Sequence, residues 1–182
     1  MNEQNKEKMG IKSAAREVTN LAVFVALVIA AQFALSFVAG VELVTVLFVA
    51  YAFVFGVRRG MLAATAFTLL RQLLFGVYLN VFLLYIVYYN LLTAIFGSLG
   101  KRIKTPLKSL WWILLVACAC TLCFTLLDNV ITITLYRYTQ KAAKIYFISS
   151  LPVAFSQMLC TVITVGGLFL PLRKVFLFAQ KR

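Results

Sequence analysis

The 182-residue chain contains no histidine and only five acidic residues. Without imidazole it has neither the commonest metal ligand nor the side chain that most often transfers protons near neutral pH. A G-x-x-x-x-G-K-[ST] phosphate loop is also missing, which excludes ATP hydrolysis by that route. Beyond the N-terminal tail the acids are Glu42 and Asp128. We therefore predict a protein that is not an enzyme, with no catalytic residue, metal site or cofactor.

The four cysteines do not change this prediction. All of them lie within apolar stretches: Cys118, Cys120, Cys123 and Cys160. Cys118 and Cys120 would point to different faces of a helix, because residues two apart are not neighbours on its surface. We interpret the cysteines as small apolar packing residues and not as metal ligands or a disulfide framework.

Polar residues are scarce as well. Charged residues make up 13% of the chain, hydrophobic residues 63%, and the mean hydropathy is +0.97. A soluble domain of this length could not bury that much apolar surface. A spanning helix needs roughly 20 apolar residues, and the sequence has six such stretches. It predicts an all-α integral membrane protein, a single transmembrane domain over 1–182, with six transmembrane helices at about 18–38, 41–57, 60–78, 80–100, 109–136 and 146–172.

The distribution of basic residues predicts the orientation. Fourteen of the 18 Lys and Arg residues lie in the segments that a six-span arrangement places on the cytoplasmic side. Three more lie in the 136–146 loop, and Arg71 alone falls inside a span. Cytoplasmic loops of membrane proteins are enriched in Lys and Arg, so both termini are predicted to be cytoplasmic. The net charge of +13 then indicates attraction to anionic lipid and not to nucleic acid.

Helix 1 carries a strip of small residues, which we call the alanine ridge: Ala22, Ala26, Ala30 and Ala34. Residues four apart share a helix face, and small residues let two helix backbones approach closely in a membrane. Gln32 points to the opposite side of the helix. The ridge is predicted to dock a partner helix. Packing against another helix of the same chain explains the spacing equally well.

Polar and aromatic side chains from five helices are predicted at similar depth in the outer half of the bundle: Glu42, Arg71, Tyr85, Tyr89, Asn90, Asp128 and Gln157. Thr121, Thr125, Asp128 and Thr132 would line one face of helix 5. Such a set favours an outward-opening pocket for a small molecule. The alternative is an internal ion pair of Arg71 with Glu42 or Asp128 that holds the bundle together.

These features resemble the S components of energy-coupling factor (ECF) transporters, which are the substrate-binding membrane subunits of vitamin importers. The resemblance is carried by the basic N-terminus, the six spans in about 180 residues, the alanine ridge, and the segments Gly40-Val-Glu-Leu-Val44 and Glu42–Gly56.

The resemblance implies a six-helix bundle in the plasma membrane of a bacterium. The alanine ridge would dock on a transmembrane coupling subunit that is joined to two cytoplasmic ATPases. The substrate would lie near the outer face, at Glu42, Tyr85, Tyr89, Asn90, Asp128 and Gln157, with Arg71 less expected as a direct contact. Mixed charges and aromatic rings suit a small heterocyclic vitamin or precursor, such as a pyridoxine-like or thiamine-related compound.

Two other functions fit the same six-span build. A non-enzymatic scaffold, such as an MreD-like rod-shape-determining protein, would bind partner proteins and no small molecule. An intramembrane lipid-modifying enzyme would need a metal or paired acids, for which Glu42 and Asp128 are the candidates.

Overall fold

The computed structural model describes residues 3–35, 43–103 and 105–181, with side chains from residue 15 to residue 180 within those ranges. The described chain is all-helical, as predicted. Six helices follow one another: α1 Glu3–Leu35, α2 Val44–Phe55, α3 Val57–Phe75, α4 Leu79–Arg102, α5 Leu110–Leu135 and α6 Gln140–Lys181. The first and last helices extend beyond the predicted spans, since α1 begins at Glu3 and α6 continues to Lys181.

Four segments are long and apolar enough to cross a membrane: Ala15–Leu35 of α1, Leu79–Arg102, Leu110–Leu135 and Gln140–Gln180. The other two helices differ from them. α2 has 12 residues, which gives about 18 Å at 1.5 Å per residue, well short of a hydrocarbon core of about 30 Å. α3 has 19 residues but includes Arg58, Arg59 and Arg71. The fold is therefore that of an all-helical membrane protein with four helices able to span a bilayer by their length and composition.

The short helix α2 occupies the centre of the bundle. Ten of its 12 residues are buried, and it packs against α4 and α6 as well as α3. The contact with α4 is backbone to backbone, because a Cβ added at Gly100 would meet the carbonyl of Phe53 in α2. A Cβ added at Gly97 would likewise lie 2.6 Å from the nitrogen of Val57, at the junction of α2 and α3. Glycine at these positions allows α4 to approach α2 and the start of α3 closely.

Aromatic rings fill the space around α2. Phe48 of α2 packs edge-on against Phe67 of α3, with ring centroids 5.4 Å apart, and lies 4.9 Å from the ring of Tyr89 on α4. Aromatic pairs at such distances add about 0.5–1.5 kcal/mol beyond the burial of their surface. The ring network therefore fixes α2, α3 and α4 as one packed unit.

The N-terminal helix is tied to the rest of the bundle at one end. Arg59, near the start of α3, forms an ion pair with Glu17 of α1. Arg16 donates hydrogen bonds of 3.4 Å to the carbonyl oxygens of Ala179 and Gln180, close to the end of α6. The beginning of α3, residues 16–17 of α1 and the C-terminal part of α6 thus lie together at the same end of the molecule.

Candidate functional site

The alanine ridge is exposed. All four alanines lie on the outer surface of α1, and α1 packs against α3 and, to a small extent, α2. Between α1 and α3 runs an open apolar groove of about 730 Å³. One wall includes Ala22, Ala26 and Ala30 of α1, and the other includes Ala66 and Leu70 of α3. No described part of the chain covers this groove, so the ridge is not used for packing within the described bundle.

Gln32 lies on the other side of α1 and faces the interior. Its Nε2 donates a hydrogen bond of 3.2 Å to the hydroxyl of Tyr85 on α4. Its Oε1 is buried and has no hydrogen-bond partner among the described residues. The two faces of α1 therefore differ in the way that the four-residue spacing predicts, with alanines outward and a polar amide inward.

Arg71 of α3 lies next to the same tyrosine. Its Cζ is 4.8 Å from the ring centre of Tyr85 and 5.4 Å from that of Phe75. Its Nε and Nη1 are buried and without a hydrogen-bond partner in the part of the chain that the structure describes. Burying a charged side chain is costly unless it is paired or hydrogen-bonded. Two cation–π contacts, worth roughly 0.5–2 kcal/mol each, offset that cost but do not replace hydrogen bonds.

The tyrosines of α4 differ in what they can offer to a ligand. Tyr85 presents its hydroxyl to Gln32, whereas Tyr89 is 1% exposed. The ring of Tyr89 lies among those of Phe48, Phe67 and Tyr88, with centroid distances of 4.9, 5.4 and 5.1 Å. Tyr89 is therefore part of the aromatic core of the fold.

Asn90 faces α3 and not the helices that follow α4. Its Nδ2 donates a hydrogen bond of 2.7 Å to the carbonyl of Ile86, one turn earlier in the same helix. Its Oδ1 accepts a hydrogen bond of 3.4 Å from Thr65 of α3. These contacts join α3 to α4, and they separate Asn90 from Asp128 and Gln157, with which the sequence grouped it.

Asp128 and Gln157 do come together. They line a polar cavity of about 250 Å³ between α5 and α6, which we call the α5–α6 cavity. Its remaining walls come from both helices: Phe124, Thr125, Tyr146, Ser149, Ser150 and Val153. The hydroxyl of Tyr146 donates to Oδ2 of Asp128 at 3.2 Å, and that of Thr132 donates to Oδ1 at 3.4 Å. The carboxylate is thus held by two hydroxyls.

Hydrogen bonds between side chains connect α5 to α6 along the length of this cavity. The hydroxyls of Thr121 and Thr161 are 2.9 Å apart, and Thr125 donates to Oε1 of Gln157 at 3.4 Å. The predicted polar stripe of α5 is therefore turned towards α6. In membrane proteins such bonds contribute about 0.6 kcal/mol each on average, so their main effect is to fix which faces of the two helices meet.

The predicted site residues do not form a single pocket. Arg71 and Tyr85 lie with Gln32, which was not a predicted site residue, between α1, α3 and α4, while Asp128 and Gln157 lie between α5 and α6. Phe124 stands between the two groups, because its ring is 6.3 Å from that of Tyr85 and also lines the α5–α6 cavity. Glu42 lies outside the described residues.

An ion pair between Arg71 and Asp128 is not formed. Among the described residues the ion pair is Arg59–Glu17, and Asp128 has hydroxyl partners. Asp128 is therefore a carboxylate without a cationic partner in the described chain, and it lines a cavity. Such a group can bind a cationic or hydrogen-donating part of a ligand.

Several cavity residues were not identified from the sequence. Tyr146 was not among the predicted site residues, yet its hydroxyl donates to Asp128. Ser149 and Ser150 were not singled out. A signal existed, because Tyr146, Ser149, Ser150, Val153 and Gln157 follow the three- and four-residue spacing of one helix face.

The described residues contain no group of three or more Cys, Asp, Glu or His side chains close enough to hold a metal ion. Comparisons of this chain with family models, with curated proteins and with solved structures find no match. The features that bear on function are the alanine ridge, the two polar groups and the α5–α6 cavity.

Proposed function

We propose that this protein is the substrate-binding subunit of an ECF-type importer, which captures a small vitamin or vitamin precursor from outside the cell. The observation that carries the proposal is the asymmetry of α1. Its four ridge alanines are exposed beside an open apolar groove, while Gln32 on the opposite face is bonded inside the bundle. One face of this helix is committed to the fold and the other is available to a partner.

The proposed occupant of the alanine ridge is a transmembrane coupling subunit associated with two ATPases. Small residues in register allow close backbone approach where no hydrophobic force drives helices together in lipid. The chain lacks a phosphate loop, so the energy for transport has to come from other subunits. Six spans with both termini in the cytoplasm complete the proposal, and the concentration of basic residues in alternate connections supports that orientation.

The α5–α6 cavity supports the substrate-binding part of the proposal. It combines the carboxylate of Asp128, the amide of Gln157 and the hydroxyls of Tyr146 and Ser149 with the ring of Phe124. A volume of about 250 Å³ lies just below the usual range of ligand pockets, which suits a small heterocyclic compound of the pyridoxine or thiamine-precursor type. A scaffold protein of the MreD-like type needs no such lined cavity, so this observation favours the binding subunit over the scaffold.

Copurification tests the docking face. The chain is coexpressed with the coupling subunit and ATPases of the same bacterium and purified through its own tag. Ala26→Trp places an indole on the alanine ridge, and we expect it to reduce recovery of the partner subunits strongly. Leu27→Trp is the matched control, because Leu27 is 48% exposed on the same helix but does not line the groove.

The wild type and Leu27→Trp should recover the partners equally. Equal recovery with Ala26→Trp would remove the ridge from the interface. A failure of the wild type itself to recover any partner would contradict the proposed function.

A further inference from the structure

The guanidinium of Arg71 is the side chain with the largest unused hydrogen-bonding capacity among the described residues. Its five N–H bonds lie in the plane of the group, and Nε and Nη1 are buried with no acceptor in the described chain. The rings of Tyr85 and Phe75, at 4.8 and 5.4 Å from Cζ, can interact with its face but cannot accept its N–H groups in the way that an oxygen does. The rings therefore fix the position of the guanidinium, while its Nε and Nη1 keep unused donors as far as the described residues are concerned.

A second open group lies beside the same tyrosine. Gln32 donates to the hydroxyl of Tyr85, which orients its amide, and its Oε1 remains buried without a donor among the described residues. Tyr85 thus contacts two side chains whose buried polar atoms have no hydrogen-bond partner among the described residues. One is the cationic donor Arg71 on α3, and the other is the neutral acceptor Oε1 of Gln32 on α1.

No described side chain supplies the missing anion. Asp128 is engaged with Tyr146 and Thr132 on the far side of Phe124, and Glu17 is paired with Arg59. Buried charges in proteins are paired or hydrogen-bonded, and the natural counterpart of a guanidinium is a planar or tetrahedral oxyanion.

We propose that Arg71 and Gln32 form a recognition site for an anionic small molecule, a carboxylate or phosphate ester that carries a neighbouring hydroxyl or amine. The oxyanion accepts from Nε and Nη1 of Arg71, and the neighbouring N–H or O–H donates to Oε1 of Gln32. The rings of Tyr85 and Phe75 line the site and favour an aromatic compound. The inference rests on the proposed function only in identifying this molecule as the transported substrate.

Small aromatic anions test the site directly on the purified protein in lipid nanodiscs, without any partner subunit. The probes are benzoate, phenyl phosphate and inorganic phosphate, with benzamide as the uncharged isostere of benzoate. Binding is measured as a saturable rise in the unfolding temperature and by calorimetric titration. Benzoate or phenyl phosphate should bind and benzamide should not. Which of the two binds more tightly separates a carboxylate site from a phosphate site, and binding of inorganic phosphate alone would contradict the aromatic lining.

Variants locate the binding. Arg71→Gln should weaken binding of the effective anion at least tenfold, and Arg71→Lys, which keeps the charge but not the planar donor set, should weaken it less. Lys141→Gln is the matched control, because it removes the same charge from an exposed position at the start of α6, and it should leave binding unchanged. If Arg71→Gln does not fold, Arg71→Lys and the Lys141→Gln control still test the site.

The role of Gln32 has its own measurement. A hydroxyl on the ring of the anion, meta to the carboxylate as in 3-hydroxybenzoate, should improve affinity about three- to tenfold over benzoate, as one additional buried hydrogen bond does. Gln32→Leu should remove that difference and leave benzoate binding in place. An unchanged difference in Gln32→Leu would exclude Gln32 from the site.

Three results would overturn the proposal. The first is that none of the anions binds the wild type. The second is that binding persists unchanged in Arg71→Gln. The third is evidence that Arg71 and Glu42 form an ion pair within the chain. In that case Arg71→Gln and Glu42→Gln would each lower the unfolding temperature, and the double variant would be no less stable than either single variant. Copurification with the coupling subunit is independent of all three, so failure of the anion site and failure of the proposed function are distinguishable.

Discussion

Replacement of Arg71 by leucine separates a ligand-binding arginine from a structural one. On insertion scales a leucine at the centre of a spanning helix is favourable by about 0.5 kcal/mol and an arginine unfavourable by about 3 kcal/mol. In the proposed six-span arrangement, in which α3 crosses the bilayer, the change gains about 3.5 kcal/mol. It forfeits two cation–π contacts, with Tyr85 and Phe75, of roughly 0.5–2 kcal/mol each. Because Nε and Nη1 have no described partner, no described hydrogen bond of these two atoms is lost.

We expect the free energy of unfolding of Arg71→Leu to lie within about 2.5 kcal/mol of the wild type, while binding of the aromatic anions is abolished. Reversible unfolding in lipid nanodiscs or mild detergent measures the first quantity and calorimetric titration the second. Arg59→Leu is a suitable control, because it breaks an ion pair whose side chains are 38% and 51% exposed. Such pairs contribute about 0–1 kcal/mol.

A loss of stability above about 3 kcal/mol in Arg71→Leu, which is the cost of breaking a buried ion pair, would exclude the ligand-binding role of Arg71. In that case Arg71 holds the bundle together through an acid, as the alternative interpretation of the sequence had it. Retained anion binding in a stable Arg71→Leu protein would show that Arg71 does not bind the anion, and it would refute the proposed site.

Three further predictions concern the α5–α6 cavity and the core. Asp128→Asn should reduce the amount of small molecule retained by the purified protein, read by mass spectrometry, by about tenfold or more with little change in unfolding temperature; loss of folded protein would assign the residue to the bundle instead. Gly100→Ala should destabilise the fold by about 1–3 kcal/mol, because a Cβ there meets the carbonyl of Phe53; unchanged stability would contradict the close contact between the backbones of α4 and α2. Thr161→Val should cost about 0.6 kcal/mol, with a double-mutant cycle to Thr121→Val showing the coupling expected from their hydrogen bond.

The sequence predicted a large part of what the structure contains. Composition alone indicated a membrane protein, and apolar stretches located six helices. The regular spacing along α1 predicted the opposition of the alanine ridge and Gln32. These are properties of single helices, and residue spacing with the geometry of 3.6 residues per turn is sufficient to derive them.

The grouping of the polar residues could not be derived in the same way. The positions of Arg71, Asn90 and Asp128 along their helices predicted a common depth, and from this we predicted one pocket. Depth alone does not determine the direction in which a side chain points across the bundle. In the structure Asn90 is bonded to Thr65 of α3, Asp128 faces α6 through Tyr146, and Phe124 stands between Asp128 and Tyr85.

The sequence by itself thus determined that this chain is helical, suited to a membrane and unusually basic, and which residues share a face of each helix. Only the tertiary structure decided which faces meet. The approach of α4 to α2 at Gly100 and to the start of α3 at Gly97, together with the hydrogen bonds between α5 and α6, sets which helices are neighbours. The physical reason is that helix periodicity is a local property of the backbone, whereas the choice of neighbour depends on close packing and hydrogen bonding between segments far apart in the chain.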